Sequence, residues 1–422
     1  MPSAATGGTF SSNNYNITYN NGTLTVNKVT LTITANNDSK DYGDTKTYGS
    51  GSIAFSSSGL QNSETIDTVT ISDPSGGGVN TANFGSYSLV PSAATGGTFS
   101  SNNYNITYNN GSLTVNKVSL SIAANNDSKD YGQTKTYGSG STAFTSNGLK
   151  NSETINTVTI IDSENGGLNI ASIGTYALIP SSPVGTLVTA NYNITYTTGT
   201  LTVNTASLTI TANDDSKDYG DTKTYGSGST AFVVEGLQNG ETVGTITLTD
   251  IDNGGVSTAS IGNYTLVPSN VTGGTFQSIN YDITYIIGIL TINTTFLEII
   301  ANDDEKMYGD TKIYGIGMTS FSTSGLKNGE TVGTITISDP SGGGLSSASV
   351  GIYSLVPSAA TGGTFNITNY DLTYTFGTLT VNQASLTITA NDESKAYGEL
   401  MTFGPGDLDF TSNGLKNNDS IG

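Results

Sequence analysis

A Tyr-Gly pair returns through the chain at Tyr42-Gly43, Tyr131-Gly132, Tyr219-Gly220, Tyr308-Gly309 and Tyr397-Gly398, at spacings of 89, 88, 89 and 89 residues. A second landmark, "NYNITY" and its variants, has its first tyrosine at 15, 104, 192, 281 and 370 and keeps the same spacings. A fixed period constrains the fold more than any single motif, because each period must be one structural unit. A period near 89 residues is too long for a solenoid repeat with one continuous core. It suits a small β-domain that folds largely on its own, with thin contacts to its neighbours. The one-residue deletion in the second copy falls between Pro180 and Tyr192, in a Ser/Gly/Thr-rich stretch where a change of length costs little.

Apolar and polar residues alternate with period two inside each copy, as half-buried strands require. "VTLTITA" puts Val29, Leu31, Ile33 and Ala35 on one face and threonines on the other. "YNITY" does the same with Tyr15, Ile17 and Tyr19, and Asn21-Gly22 predicts a type I′ hairpin turn into "TLTV". "TVTIS" (68–72) and "SYSLVP" (86–91) are further strands, closed by Pro91 and by the "PSGGG" turn at 74–78. No segment has helical periodicity. The expected fold is all-β: a tandem, elongated array of small antiparallel β-sandwiches of immunoglobulin-like type, with β-grasp-like units as the alternative.

The face pattern places the boundaries. Leu24 and Val26 are even-numbered, whereas Val29, Leu31 and Ile33 are odd, so one strand on one core cannot hold both sets. The slip recurs at Val115/Val118, Val203/Ala206, Ile292/Leu297 and Val381/Ala384. Domains are therefore expected at 29–117, 118–205, 206–294 and 295–383, flanked by parts of further copies at 1–28 and 384–422. Short junctions without glycine are stiff, and such an array predicts a rod on the order of 150–200 Å long. Residues 2–28 match 91–117 at every position except Thr23, which is Ser112, and Met1 aligns with Val90. An internal piece of a longer array is the expectation.

The missing residue types narrow the chemistry. There is no Cys, His or Trp, and all 14 basic residues are lysine. Disulfides, thiolate and imidazole metal sites, and Ser-His-Asp or Cys-His nucleophiles are excluded. The net charge of −20 argues against nucleic-acid partners and anionic membrane surfaces. No apolar run is long enough for a membrane-spanning helix.

Five features invite a functional role. The acidic turn at 212–223, "ANDDSKDYGDTK", offers oxygens suited to calcium, yet it lacks the EF-hand order, and the counterpart of Asp221 is Gln133 in the second copy. A solvated turn with local Lys-Asp pairing is the simpler expectation, and no cofactor is assigned. In the Tyr-Gly pair, Tyr42 is expected to pack at the end of the sandwich with its hydroxyl toward water or backbone. Gly43 is expected to take the positive φ of a turn after the first strand. Glu64 and its counterparts Glu153, Glu241, Glu330 and Asp419, with Lys40 and Asn27, are the residue types of a Lys-Asn isopeptide bond, although exposure of all three is the default. The glycines at 76–78 lack the G-K-[ST] of a phosphate loop, and Asn-x-Ser/Thr sites such as Asn16, Asn105 and Asn193 follow from composition.

The order "SLTITANDDSKDYGDTKTYG", "GLQNGETVGTITLTD", "IGNYTLVPS" and "NYDITY" resembles the MBG repeats of large bacterial surface proteins, described as YDG- or YGX-type, across essentially the whole chain. The resemblance implies a tandem extracellular array, secreted or at the bacterial cell surface, similar to filamentous-haemagglutinin-type adhesins. It brings no catalytic residues. The expectation is a non-enzymatic stalk segment of an adhesin, with neighbouring repeats and host or cell surfaces as partners. A multivalent module for host glycan or protein is the alternative.

Overall fold

A computed structural model describes the chain over residues 1–422. It folds as two compact units, Met1–Asn204 and Thr205–Gly422, each holding two complete copies of one seven-stranded arrangement. In the first copy the strands are β1 (Val29–Ala35), β2 (Asp38–Asp41), β3 (Phe55–Ser58), β4 (Thr68–Ser72), β5 (Gly85–Thr95), β6 (Tyr104–Asn109) and β7 (Gly111–Asn116). The equivalent strands fall within 118–204, 206–293 and 295–382. Residues 1–28 contribute only a short 3-10 turn at Ser12–Asn14, and residues 384–422 a two-stranded sheet of Thr387–Ala390 with Phe410–Asn413. No helix is long and apolar enough to cross a membrane.

Each copy is a sandwich of a three-stranded sheet, ordered β3-β1-β6, on a four-stranded sheet, ordered β4-β5-β7-β2. The core lies between them: Leu31, Ile33 and Ala35 from β1 and Tyr104 from β6 meet Val69, Ile71, Leu89 and Leu113 from the other sheet. The alternation that the sequence shows is therefore the alternation the core uses. Val29 departs from it and is 41% exposed, at the open end of β1.

The all-β array of sandwiches is as expected, but the strands are not all antiparallel. β1 runs parallel to β6, and β2 runs parallel to β7. Both pairings keep one offset of 75 residues, Val29 opposite Tyr104 and Asp38 opposite Leu113. Residues 29–41 and 104–116 are thus two extended threads lying side by side, which pass together from one sheet to the other. Period-two alternation records which face a side chain takes and carries no mark of its neighbour's direction.

Three local expectations change with this topology. Asn110-Gly111, the counterpart of Asn21-Gly22, closes no hairpin, because β6 and β7 belong to different sheets. Gly111 is required by contact instead: a Cβ there would lie 2.5 Å from the Ala35 carbonyl oxygen and 2.7 Å from that of Asn36, where the threads change sheets. Pro91 does not end its strand. It sits opposite Ile71, beyond the last β5–β7 pair at Leu89, so its missing N–H is needed by no second neighbour. Residues 38–41 form β2, so the Tyr-Gly turn follows the second strand rather than the first.

Candidate functional site at the junction between repeats

Strand β7 ends at Asn116 and the next copy's first strand begins at Val118, leaving Lys117 alone between them. Its ammonium lies 4.9 Å from the centre of the Phe84 ring. This short connection brings the Tyr-Gly turn of one copy onto the "GLKNSET" loop of the next. Tyr42 is buried, and its hydroxyl donates to Glu153 Oε1 at 2.8 Å. The other carboxylate oxygen accepts from the Tyr192 hydroxyl at 2.5 Å. The two rings meet edge to face, with centroids 5.7 Å apart and planes at 80°. Burial and the adjoining Glu153 carboxylate push both hydroxyls above the ordinary tyrosine value. A carboxylate held by two buried phenols is a strong, charge-assisted clasp.

Further bonds surround it. Asn151 donates to the Asn80 carbonyl at 3.1 Å. The fully buried Asn191 accepts from the Phe84 N–H at 2.8 Å and donates to Asn83 Oδ1 at 3.0 Å. Gly43 has a φ of 93°, and a Cβ added to it would lie 2.9 Å from Lys150 Cδ, so the lysine stem lies over the glycine. Tyr42, Ala82 and Val115 share one apolar cluster with Leu120, Ile122 and Val158 of the following copy.

The second unit repeats the arrangement. Tyr219 donates to Glu330 Oε1 at 2.8 Å, Tyr370 donates to Oε2, and the rings meet at 5.5 Å and 78°. Asn328 reaches the Ser257 carbonyl, and Asn369 accepts from the Ile261 N–H. Farther along, Tyr308 donates to Asp419 at 2.9 Å, the shorter acid in the same role. Tyr397, in the last segment, is fully exposed.

These positions correct two expectations. Contacts between neighbouring copies are not thin in either unit, since the apolar core continues through the junction. The Tyr42 hydroxyl donates to a carboxylate 111 residues away rather than to backbone. The positive φ expected of the Tyr-Gly glycine is present at Gly43, Gly132, Gly220, Gly309 and Gly398. Tyr131 is buried like Tyr42 and Tyr219. The buried asparagine was missed, although Asn precedes the tyrosine in every "NY" copy, a signal that the internal repeats supply.

The isopeptide set is not assembled. Lys40 is buried, not exposed, and its ammonium donates to the carbonyls of Asp44 and Val79. Burial pulls its pKa below the ordinary lysine value, against the pull of Asp44 and Asp73. Glu64 accepts from Tyr104, and Asn27 is exposed outside any strand. Lys129, Lys217 and Lys306 are buried and held by pairs of carbonyls in the same way.

In the acidic turn, Asp215 accepts from Lys223 and from Tyr225, and Asp214 accepts from the Ile289 N–H at 2.8 Å. The equivalent Asp38 is held below the usual carboxylate value: burial opposes its ionisation, but hydrogen bonds from Lys46, the Ser39 N–H and Tyr48 outweigh it. No three carboxylates converge as metal ligands would. The local Lys-Asp pairing expected of the turn is what its side chains form, half-exposed, at Lys46–Asp38, Lys135–Asp127, Lys223–Asp215 and Lys312–Asp304.

No curated protein matches the chain. Among solved structures it is similar to Drosophila N-cadherin EC1-4, at 10% identity over 83% of this chain and 99% of that one, with a TM-score of 0.19. It is also similar to the Bacillus anthracis TIE protein, at 9% identity over 82% and 73%, TM-score 0.20. A third is the Bacteroides ovatus glucan-utilisation protein SGBP-B in complex with a mixed-linkage heptasaccharide, at 14% identity over 65% and 72%, TM-score 0.11. Likeness at these scores carries no weight for function. The family match is of another order: the MBG domain (YGX type) matches residues 31–114, 120–202, 208–291 and 297–380, each span running from the buried leucine of a copy's first strand into its last strand. The chain therefore belongs to the MBG domain family of the YGX type, as four tandem repeats.

Proposed function

We propose that the chain is a non-enzymatic stalk segment of a large secreted or surface-exposed bacterial adhesin, which holds a distal binding region away from the cell. The observation that carries this role is the Tyr-Glu-Tyr clasp, set on a one-residue connection and closed in the same way at Tyr42–Glu153 and Tyr219–Glu330. A flexible tether would have a Gly/Ser linker and no interdomain bonds. A repeated ligand site would keep its polar groups free, whereas here the most recurrent side chains are spent on the neighbouring repeat. The extracellular setting rests on membership of the MBG family.

The test places arrays of two and four repeats between a cell-surface anchor and a distal reporter peptide. The height of the reporter above the surface is expected to rise with repeat number. A height independent of repeat number would overturn the stalk, and binding of the array itself to host cells or glycans would favour the multivalent module.

A further inference from the structure

The thread that enters each repeat and the thread that leaves it are hydrogen-bonded to one another in the same direction. In the first repeat, residues 29–34 lie beside 104–109 and residues 38–41 beside 113–116. The same parallel pairs are 118–123 with 192–197 and 127–130 with 201–204 in the second repeat. The third and fourth repeats carry them too. A spacer of fixed length needs no such direction.

Tension along the chain pulls the first thread toward its N-terminal end at Val29 and the second toward its C-terminal end at Asn116. Because the threads are parallel, the two pulls oppose each other along one line and slide the threads past each other. The bonds between them then share the load and must fail together, whereas separating two adjacent ends would break them one at a time. Neither thread is free to peel away on its other side at its core strand: β1 is backed by β3, and β7 by β5. The crossing between sheets is locked as well. Asn37 Oδ1 accepts the Ser112 N–H at 2.9 Å, and Asn126, Asp214 and Asp303 do the same for Thr200, Ile289 and Thr378.

We infer that each repeat is a tensile element loaded in shear, and that resistance to stretching is a function built into the parallel pairing of its first and last threads. The load passes through a single repeat, so this property is independent of the spacing role.

The chain has no cysteine, so pairs of introduced cysteines give unique handles for single-molecule pulling on the full chain. Lys28→Cys with Asn116→Cys loads the threads in shear. Lys28→Cys with Asn103→Cys pulls apart the adjacent ends at Val29 and Tyr104 in the same repeat. All three positions are exposed. The rupture force in the first geometry is expected to be roughly threefold or more that in the second, since forced unfolding follows the barrier along the pulled direction. Equal or lower force in the first geometry would overturn the shear element while leaving the reporter-height result untouched. A reporter height independent of repeat number would do the reverse.

Discussion

The Tyr42 hydroxyl donates to Glu153 at 2.8 Å across the boundary between two repeats, and that carboxylate also holds Tyr192 of its own repeat. One acidic side chain thus serves two sandwiches, which couples the stability of one to the presence of the other. In a double-mutant cycle on Tyr42→Phe and Glu153→Gln, followed by urea unfolding, the two changes are expected to be non-additive. The coupling should be about 1–2 kcal/mol, as for a buried hydrogen bond to a charged group. Additive losses would show that the clasp contributes nothing between repeats.

Alkaline pH is expected to open the same contact. Burial beside a carboxylate raises the Tyr42 hydroxyl above its ordinary value. Its contribution is therefore complete below about pH 10, the value of a free tyrosine, and is lost as pH rises through the raised folded value. Unfolding free energies of the parent and Tyr42→Phe chains, measured from pH 8 upward, should converge only above that point. Groups that do not touch the clasp, Lys40 among them, cancel in the comparison.

Two lysines six residues apart should behave in opposite ways. Lys40 is buried against the Asp44 and Val79 carbonyls, and Lys40→Met leaves the Asp44 carbonyl without its donor, while Val79 keeps the Ala82 N–H. The expected cost is roughly 1–3 kcal/mol, that of the one orphaned carbonyl. Lys46 pairs with Asp38 at side-chain exposures of 37% and 36%, so Lys46→Met should cost about 0–1 kcal/mol. The Asp38 carboxyl is held low, so this smaller term is present above the usual carboxylate range and disappears as pH falls through the lowered folded value. Denaturant midpoints of the two variants, compared at neutral pH and near pH 3, check both statements.

Much of the architecture is legible in the sequence. The period is visible because the copies are nearly identical, and the faces are visible because burial selects every second residue. Leu31 and Ile33 are both 0% exposed, and Val69 and Ile71 both 1%. The one-residue slip between Val115 and Val118 marks where one core gives way to the next for the same reason: a side chain cannot face two cores from one strand.

What the sequence left open is what each residue meets. The parallel course of residues 29–41 and 104–116 is held largely by backbone bonds, which every residue type except proline can make, so no side chain announces it. Lys40 looks like any surface lysine until two carbonyls brought from the turn at Asp44 and the loop at Val79 surround its ammonium. Tyr42 shows only that it recurs, and its partner lies 111 residues away in a domain placed by the junction. Alternation and period are local properties of the chain, fixed by its own spacing, and the sequence by itself determined them. Strand direction, burial of the lysines and closure of the clasp depend on which distant segments are brought together, and only the tertiary structure decided those.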